Sequence, residues 1–198
     1  MIGTVLMSKK AQNAAEKEQR ILTAALHLFA TQGYEATAVP QVALKAAVGS
    51  GTIYRYFDNK EALVNAVFRS AKAKLKHYLH EDHFDDEPRQ VFHRFWNNLI
   101  RFTEDNPEDF HFLELQDHAP YLDDASRQLE LEVLAPISLF CIEYGRKGLF
   151  KSLPADAMMA MIWGAFVGLM KAGKLGYARL NHSVLRQAEE VCWQMLLK

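Results

Sequence analysis

Cysteine is nearly absent from this 198-residue chain: Cys141 and Cys192 are the only two. They lie too far apart to match a disulfide framework or a metal-ligand spacing, which suits a reduced, intracellular protein. Long hydrophobic runs are also scarce. The longest, Met158 to Met170, begins just after Asp156 and stops at Lys171, short of the roughly 18 to 20 residues that span a bilayer. Met1 to Met7 holds an apolar patch with no basic start and too little hydrophobic length for a secretion signal, and Met7 offers an alternative start. Strand-like alternation, internal repeats, low-complexity tracts and cofactor motifs are missing too. These absences leave a cytoplasmic, helical protein with no cofactor and no membrane partner as the expectation.

Net charge is equally sparse at −1, although 49% hydrophobic residues are enough to build a substantial core. The distribution of charge is more informative than its sum. Residues 1–80 carry 11 Lys and Arg against 5 Asp and Glu, whereas residues 81–198 carry 12 against 19. A basic head on an acidic remainder suggests two jobs in one chain, one of them attracting phosphate.

Punctuation along the chain is helical throughout. From Glu16 to Gln32, Ile21, Ala25, Leu28 and Phe29 recur at helical spacing, and Gly33 supplies a stop. Val39 to Ala46 forms a short helix that tolerates Pro40 in its first turn, with Thr37 placed to cap it. A third helix, Thr52 to Phe57, follows the turn Val48-Gly49-Ser50-Gly51, and a fourth runs from Asn59 towards His80 before the acidic linker Glu81 to Glu87. Pro88 opens the next helix, and Asn106-Pro107-Glu108-Asp109 reads as a capped start with acids facing the dipole. Asp123 and Asp124 precede a helix to Tyr144 with a kink expected at Pro136. Pro154 begins an apolar helix to Gly173, and Asn181 or His182 begins the last. The fold class is all-α.

Thr37 to Lys60, TAVPQVALKAAVGSGTIYRYFDNK, carries the function. Two short helices about a glycine-bearing turn form a helix-turn-helix, whose second helix enters the major groove. Ser50, Gly51 and Thr52 lie at its N-terminus, where small side chains and free amides allow close approach. Thr52, Tyr54 and Tyr56 add hydroxyls, Arg55 can read a guanine or touch phosphate, and Lys60 adds charge at the following helix start.

This stretch resembles the DNA-binding domain of the TetR/AcrR family of bacterial repressors over residues 16–67. The matching residues are Val42-Ala43, Ala46-Ala47-Val48-Gly49, Gly51-Thr52-Ile53, Tyr54-Arg55-Tyr56-Phe57 and Lys60-Glu61-Ala62-Leu63, with Phe29 and Gly33-Tyr34 upstream. Two positions depart: Ala47 replaces the usual turn Gly, with Gly49 available to take over its flexibility, and Gly49 replaces the usual Ser. The resemblance implies that Thr37, Ser50, Gly51, Thr52, Tyr54, Tyr56 and Lys60 face DNA, while Val42, Ala43, Val48, Ile53 and Phe57 form the small core. It further implies an N-terminal three-helix DNA-binding domain over 1–58 with its first residues disordered, a connecting helix over 59–80, and a larger helical effector-binding and dimerisation domain over 81–198. A homodimer would form through the last two helices and bind a palindromic double-stranded operator.

The acidic half carries no shared motif. Gly164 and Gly168 lie four apart beside large apolar neighbours, and Leu185, Ala188, Val191, Cys192 and Met195 form an interface stripe on the last helix. Aromatics interleaved with polar side chains suit a pocket for a small hydrophobic or aromatic effector: Phe95, Trp96, Asn98, Phe102, His111, Gln116, His118, Phe140, Tyr144 and Trp163. Two competing readings stay open from the residues alone. One is a helical metal enzyme using a His111, Glu114, His118 face, with His77, His80 and His83 as a second grouping. The other is a nonspecific architectural protein, which would bind scrambled DNA equally well.

Overall fold

Capping chemistry and proline placement divide the chain. The computed structural model describes residues 9–80, 87–115, 117–118 and 120–198. Its helices are α1 (Lys9–Gln32), α2 (Val39–Lys45), α3 (Ser50–Ile53), α4 (Lys60–Leu79), α5 (Pro88–Asp105), α6 (Pro107–Leu115), α7 (Asp124–Arg146), α8 (Ala155–Lys174) and α9 (His182–Leu196). Among the described residues there is no strand beyond a lone bridge between Phe150 and Leu197. Met7, His83, Gln116 and the acidic linker up to Asp86 lie outside the described residues.

Several starts follow the sequence reading. Pro88 opens α5, Pro107 opens α6 with Glu108 and Asp109 in its first turn, and the Asn181 carboxamide caps α9 by accepting from the Val184 amide at 3.0 Å. Others differ. α1 begins seven residues before the expected Glu16, on alanine propensity rather than apolar periodicity, since most side chains before Ile21 are exposed. α7 contains Pro136 within one continuous helix, which leaves the kink expected there untouched.

Thr37 does not cap α2. The cap position is Ala38, whose amide donates to Gln41 Oε1 at 2.8 Å. Gly33 takes the left-handed conformation that ends α1, and its carbonyl accepts the Thr37 hydroxyl at 2.8 Å. The hydroxyl is thus engaged one residue too early to serve α2.

The chain forms two compact units, each drawing together segments distant in sequence. One unit joins residues up to Ala71 with Glu108–Ser126; the other joins Lys72–Pro107 with Arg127–Lys198. The helix α4 is therefore shared. Leu63, Val64, Val67, Phe68 and Ala71 are buried in its first part, and Leu75 and Leu79 in its second.

In the first unit, Ile21, Ala25, Leu28 and Phe29 of α1 form the core with Val42, Ala43, Ile53, Phe57 and the start of α4, while Val48 is half-buried. Segment 108–126 adds an aromatic group. Phe29 stacks with Phe112 (6.2 Å between centroids), Tyr34 with Tyr121 (4.3 Å), and His118 lies against Phe112 and Phe68. Asn65 links α4 to this segment: its amide donates to the Tyr121 carbonyl at 2.8 Å and its oxygen accepts from the Asp123 amide at 2.9 Å.

The second unit is centred on rings: Phe92, Trp96, Phe140, Tyr144, Phe150, Phe166 and Trp193 meet at centroid distances from 5.0 to 6.3 Å. Buried Glu189 of α9 accepts from Arg89 at 2.5 Å and meets His93 Nδ1 at 2.9 Å, so its charge is matched where it is desolvated. Both cysteines are buried, and burial pushes the Cys141 thiol up to about 11, which suits a small hydrophobe rather than a redox switch.

One sequence expectation fails on length. α8 extends past the apolar run at both ends and is long and apolar enough to cross a membrane, yet only 17% of that window is buried within the chain. The flanking Asp156 and Lys171 do not shorten the helix, because an acid in the first turn and a base in the last suit its dipole.

The turn between α2 and α3 also departs from expectation. Ala47 itself takes the left-handed conformation (φ +52°), and Gly49 is extended (φ −72°) and precedes α3. The amides of Ala47 and Val48 close the turn on the carbonyls of Leu44 and Ala43, the paired bonds of a Schellman ending. An alanine there bears strain that glycine would not. Ala47→Gly is expected to stabilise the protein by about 1 kcal/mol, read as a higher urea midpoint at unchanged slope. An unmoved or lower midpoint would show that the turn is relaxed as it stands.

Candidate nucleic-acid interface

At four residues, α3 is too short to persist alone. It is held from beneath by Ile53, 1% exposed, while the amides of Tyr56 and Phe57 return to the Ile53 carbonyl at 2.9 Å. The helix starts two residues before the expected Thr52, because the Gly49 carbonyl accepts the Thr52 amide at 2.8 Å and begins the winding early. Tyr54 to Tyr56 form a turn rather than helix.

With Ile53 inward, the other side is left to solvent. Ser50, Gly51 and Arg55 are exposed, Tyr54 is 53% exposed, and Thr52 is half-buried. Five of the anticipated DNA-facing residues thus cluster about one short helix. Tyr56 is divided: its ring is half-buried beside Phe57 and its hydroxyl donates to the Ala14 carbonyl of α1 at 3.2 Å. That bond ties the turn after α3 to the early part of α1.

Thr37 departs from the set. It is 1% exposed and its hydroxyl is committed to Gly33, so its side chain supports the turn instead of facing outward. Lys60 holds its ammonium 4.1 Å above the Tyr34 ring and 3.4 Å from the Glu35 carbonyl. A cation in the first turn of α4 is unfavourable to that helix's dipole, and the ring face offsets part of this cost.

Other cations were not singled out from the sequence. Lys9, Lys10, Lys17 and Arg20 are exposed along α1, and Lys45 is exposed at the end of α2. Arg20 and Lys45 border a shallow hollow of about 500 Å³, with Ala47 and the His27–Glu108 pair (2.7 Å) on its rim. The basic surplus of residues 1–80 was their only signal in the sequence.

The anticipated effector residues divide between the units. Phe95, Trp96, Asn98, Phe102, Phe140 and Tyr144 are buried in the second unit, where Trp163 is half-buried. His111, half-buried, and His118, buried, belong to the first. His118 is no free polar anchor. The Tyr121 hydroxyl lies 2.5 Å from its Nδ1, and its Nε2 meets the Phe112 carbonyl. The consistent arrangement has Tyr121 donating and Nε2–H donating in turn. Burial, reinforced by Asp117, pushes the Tyr121 phenol up to about 12, so that proton is retained. Trp96 likewise spends its indole N–H on the Leu185 carbonyl at 3.2 Å. Among the described residues no three His, Cys, Asp or Glu side chains converge as metal ligands, which leaves the His111, Glu114, His118 reading without a site.

Comparison with known proteins gives the arrangement its relatives. A family model described as bacterial regulatory proteins, tetR family, matches residues 21–67, and one described as tetracyclin repressor-like, C-terminal domain, matches residues 68–197. An uncharacterised HTH-type transcriptional regulator of Haemophilus influenzae is 23% identical over 188 residues, 94% of this chain and 99% of its own. The HTH-type transcriptional regulator AcrR of Shigella flexneri is 28% identical over 179 residues, 82% of this chain and 80% of its own. The crystal structure of a TetR family transcription regulator from Marinobacter aquaeolei VT8 shares the fold at a TM-score of 0.84 and 20% identity, covering 95% of this chain and 99% of that one. With both halves matched and an exposed helix-turn-helix at its head, the chain belongs to the TetR family and is a DNA-binding transcriptional regulator, not an enzyme.

Proposed function

We propose that this regulator is a cytoplasmic homodimeric repressor that holds a palindromic operator and releases it when a small hydrophobic or aromatic effector binds. The observation that carries the reading is the outward set Ser50, Gly51, Tyr54 and Arg55 over the buried Ile53. Two such helices about one DNA turn apart, roughly 34 to 36 Å, would read two half-sites. Residues 1–58 act as the DNA-contacting head, 59–80 as the connection and 81–198 as the effector and dimerisation part. Lys60 and the cations of α1 and α2 contact phosphate and fix the register.

Pairing through α8 and α9 is supported by what the single chain leaves uncovered. Met161, Gly164, Ala165 and Gly168 are exposed on α8, Val191 is exposed on α9, and a Cβ added at Gly164 or Gly168 meets nothing within 4 Å. A second copy, rather than a bilayer, covers this apolar face. The effector lodges among Phe95, Trp96, Asn98, Phe102, Phe140, Tyr144 and Trp163 by displacing part of the ring packing. Because α4 belongs to both units, it is the element through which such a displacement reaches the head. Release requires only that the effector favour the conformation that DNA disfavours.

Selection of bound sites from random DNA is expected to return a palindrome, and recovery of unrelated sequences would refute specific reading. A screen of apolar and aromatic compounds should find one that raises the melting temperature and lowers operator affinity together. Lys60→Ala is expected to weaken binding across operator sequences and flatten the salt dependence by about one unit of slope. Thr37→Val should cost about 1 kcal/mol of stability and leave the affinity of the folded protein intact. Gly168→Leu should leave the helical content of the chain intact while sedimentation shows loss of the dimer; an intact dimer would move the interface elsewhere.

A further inference from the structure

The helix α7 has a second face that the DNA-binding and effector readings do not use. Its core line is Val133, Ile137, Phe140, Cys141 and Tyr144, all buried. At about 100° per residue, the diametrically opposite line runs through Leu131, Ala135 and Leu139. The two leucines are 65% and 64% exposed, and Ala135 between them is exposed as well. A helix that buries one stripe and exposes three consecutive apolar positions on the other is unusual for a surface facing only water.

The pattern along this line is symmetric. Counting outward from Ala135, the line meets Leu131 and Leu139 at 4 residues, Gln128 and Ile142 at 7, and Asp124 and Arg146 at 11. The steps of 4, 3 and 4 are those of a helix–helix seam, and they read identically in both directions. The chemistry is complementary about the same point at three of the four levels: leucine opposite leucine, alanine opposite alanine for close approach, and carboxylate opposite guanidinium at the ends, with Gln128 opposite Ile142 the unmatched level. A parallel copy would instead place Asp124 on Asp124 and Arg146 on Arg146. Each end charge also suits α7's own dipole, but that role does not account for the exposed leucines.

We infer that this face is a self-docking surface, which takes the same face of a second copy in antiparallel register about a twofold axis at Ala135. The contact is isologous, and because an α8–α9 dimer carries two such faces, each dimer can join further dimers through it. It is separate from the α8–α9 pairing proposed above and adds a further association step, so that two DNA-binding assemblies become joined.

The test is sedimentation velocity of the full chain at low ionic strength, from about 1 to about 300 µM, the range suited to a small interface. The wild type should rise to at least twice its basic mass towards the upper end. Leu139→Glu should abolish that step with an unchanged melting temperature, as its side chain is exposed. Arg146→Asp and Asp124→Arg should each abolish it too, because each sets like charges together at both ends of the seam. An equimolar mixture of these two variants should regain the step, since every acidic end then meets a basic one. Helix-dipole costs are the same in the mixture as in its components, so recovery on mixing reports the pairing itself. A wild type of one mass throughout, a step indifferent to Leu139→Glu, or a mixture no different from its components would each overturn the inference. Gly168→Leu acts on the other step, so failure of the α8–α9 reading is seen separately.

Discussion

The enclosure of Ile53 is the interaction on which the proposed DNA-facing surface depends. A single turn of helix has no stability of its own, and its orientation follows from the side chain buried beneath it. Ile53 supplies that anchor, Phe57 continues it, and the Ala47 turn behind fixes where the helix begins. With these in place, Ser50, Gly51, Tyr54 and Arg55 have no direction available except outward. The proposed readout surface is therefore a consequence of core packing, and variants in the small core are expected to act on DNA affinity without touching DNA.

The same small core extends to a segment distant in sequence. Residues 108–126 join it through Phe112, His118 and Tyr121, whose rings meet Phe29, Tyr34 and Phe68. Polar groups in this cluster are saturated by one another: the imidazole of His118 is held between a phenol and a carbonyl, and the Asn65 carboxamide bridges two backbone groups. Such networks fix one arrangement strongly, because each unmade bond in a buried setting costs a full desolvation penalty.

How much of this was legible in the sequence varies with the range of the cause. Local chemistry was readable: proline at helix starts, Asn181 before the last helix and the motif around Gly51-Thr52-Ile53 all fall where expected. Thr37 was misplaced by one competing carbonyl, that of Gly33, which no propensity reveals. The early turns of α1 lack apolar periodicity and so gave no signal. His118 read as a pocket residue because it is close in sequence to aromatic neighbours, while its partners are set by three-dimensional packing. The span of α8 was readable from Pro154 to Gly173, and only the apolar run inside it was bounded too tightly at Asp156 and Lys171, since charges of those signs are welcome at helix ends.

The burial of Cys141 and Cys192 has a practical consequence. Both thiols lie in the second unit, and burial raises both above their ordinary range. An alkylating reagent at neutral pH can therefore reach them only through excursions that open that unit, since the first contains no thiol at all. Their labelling rate is a built-in clock for breathing of the helical body alone, and a cysteine introduced at exposed Tyr177 would carry a spectroscopic probe against an almost silent background.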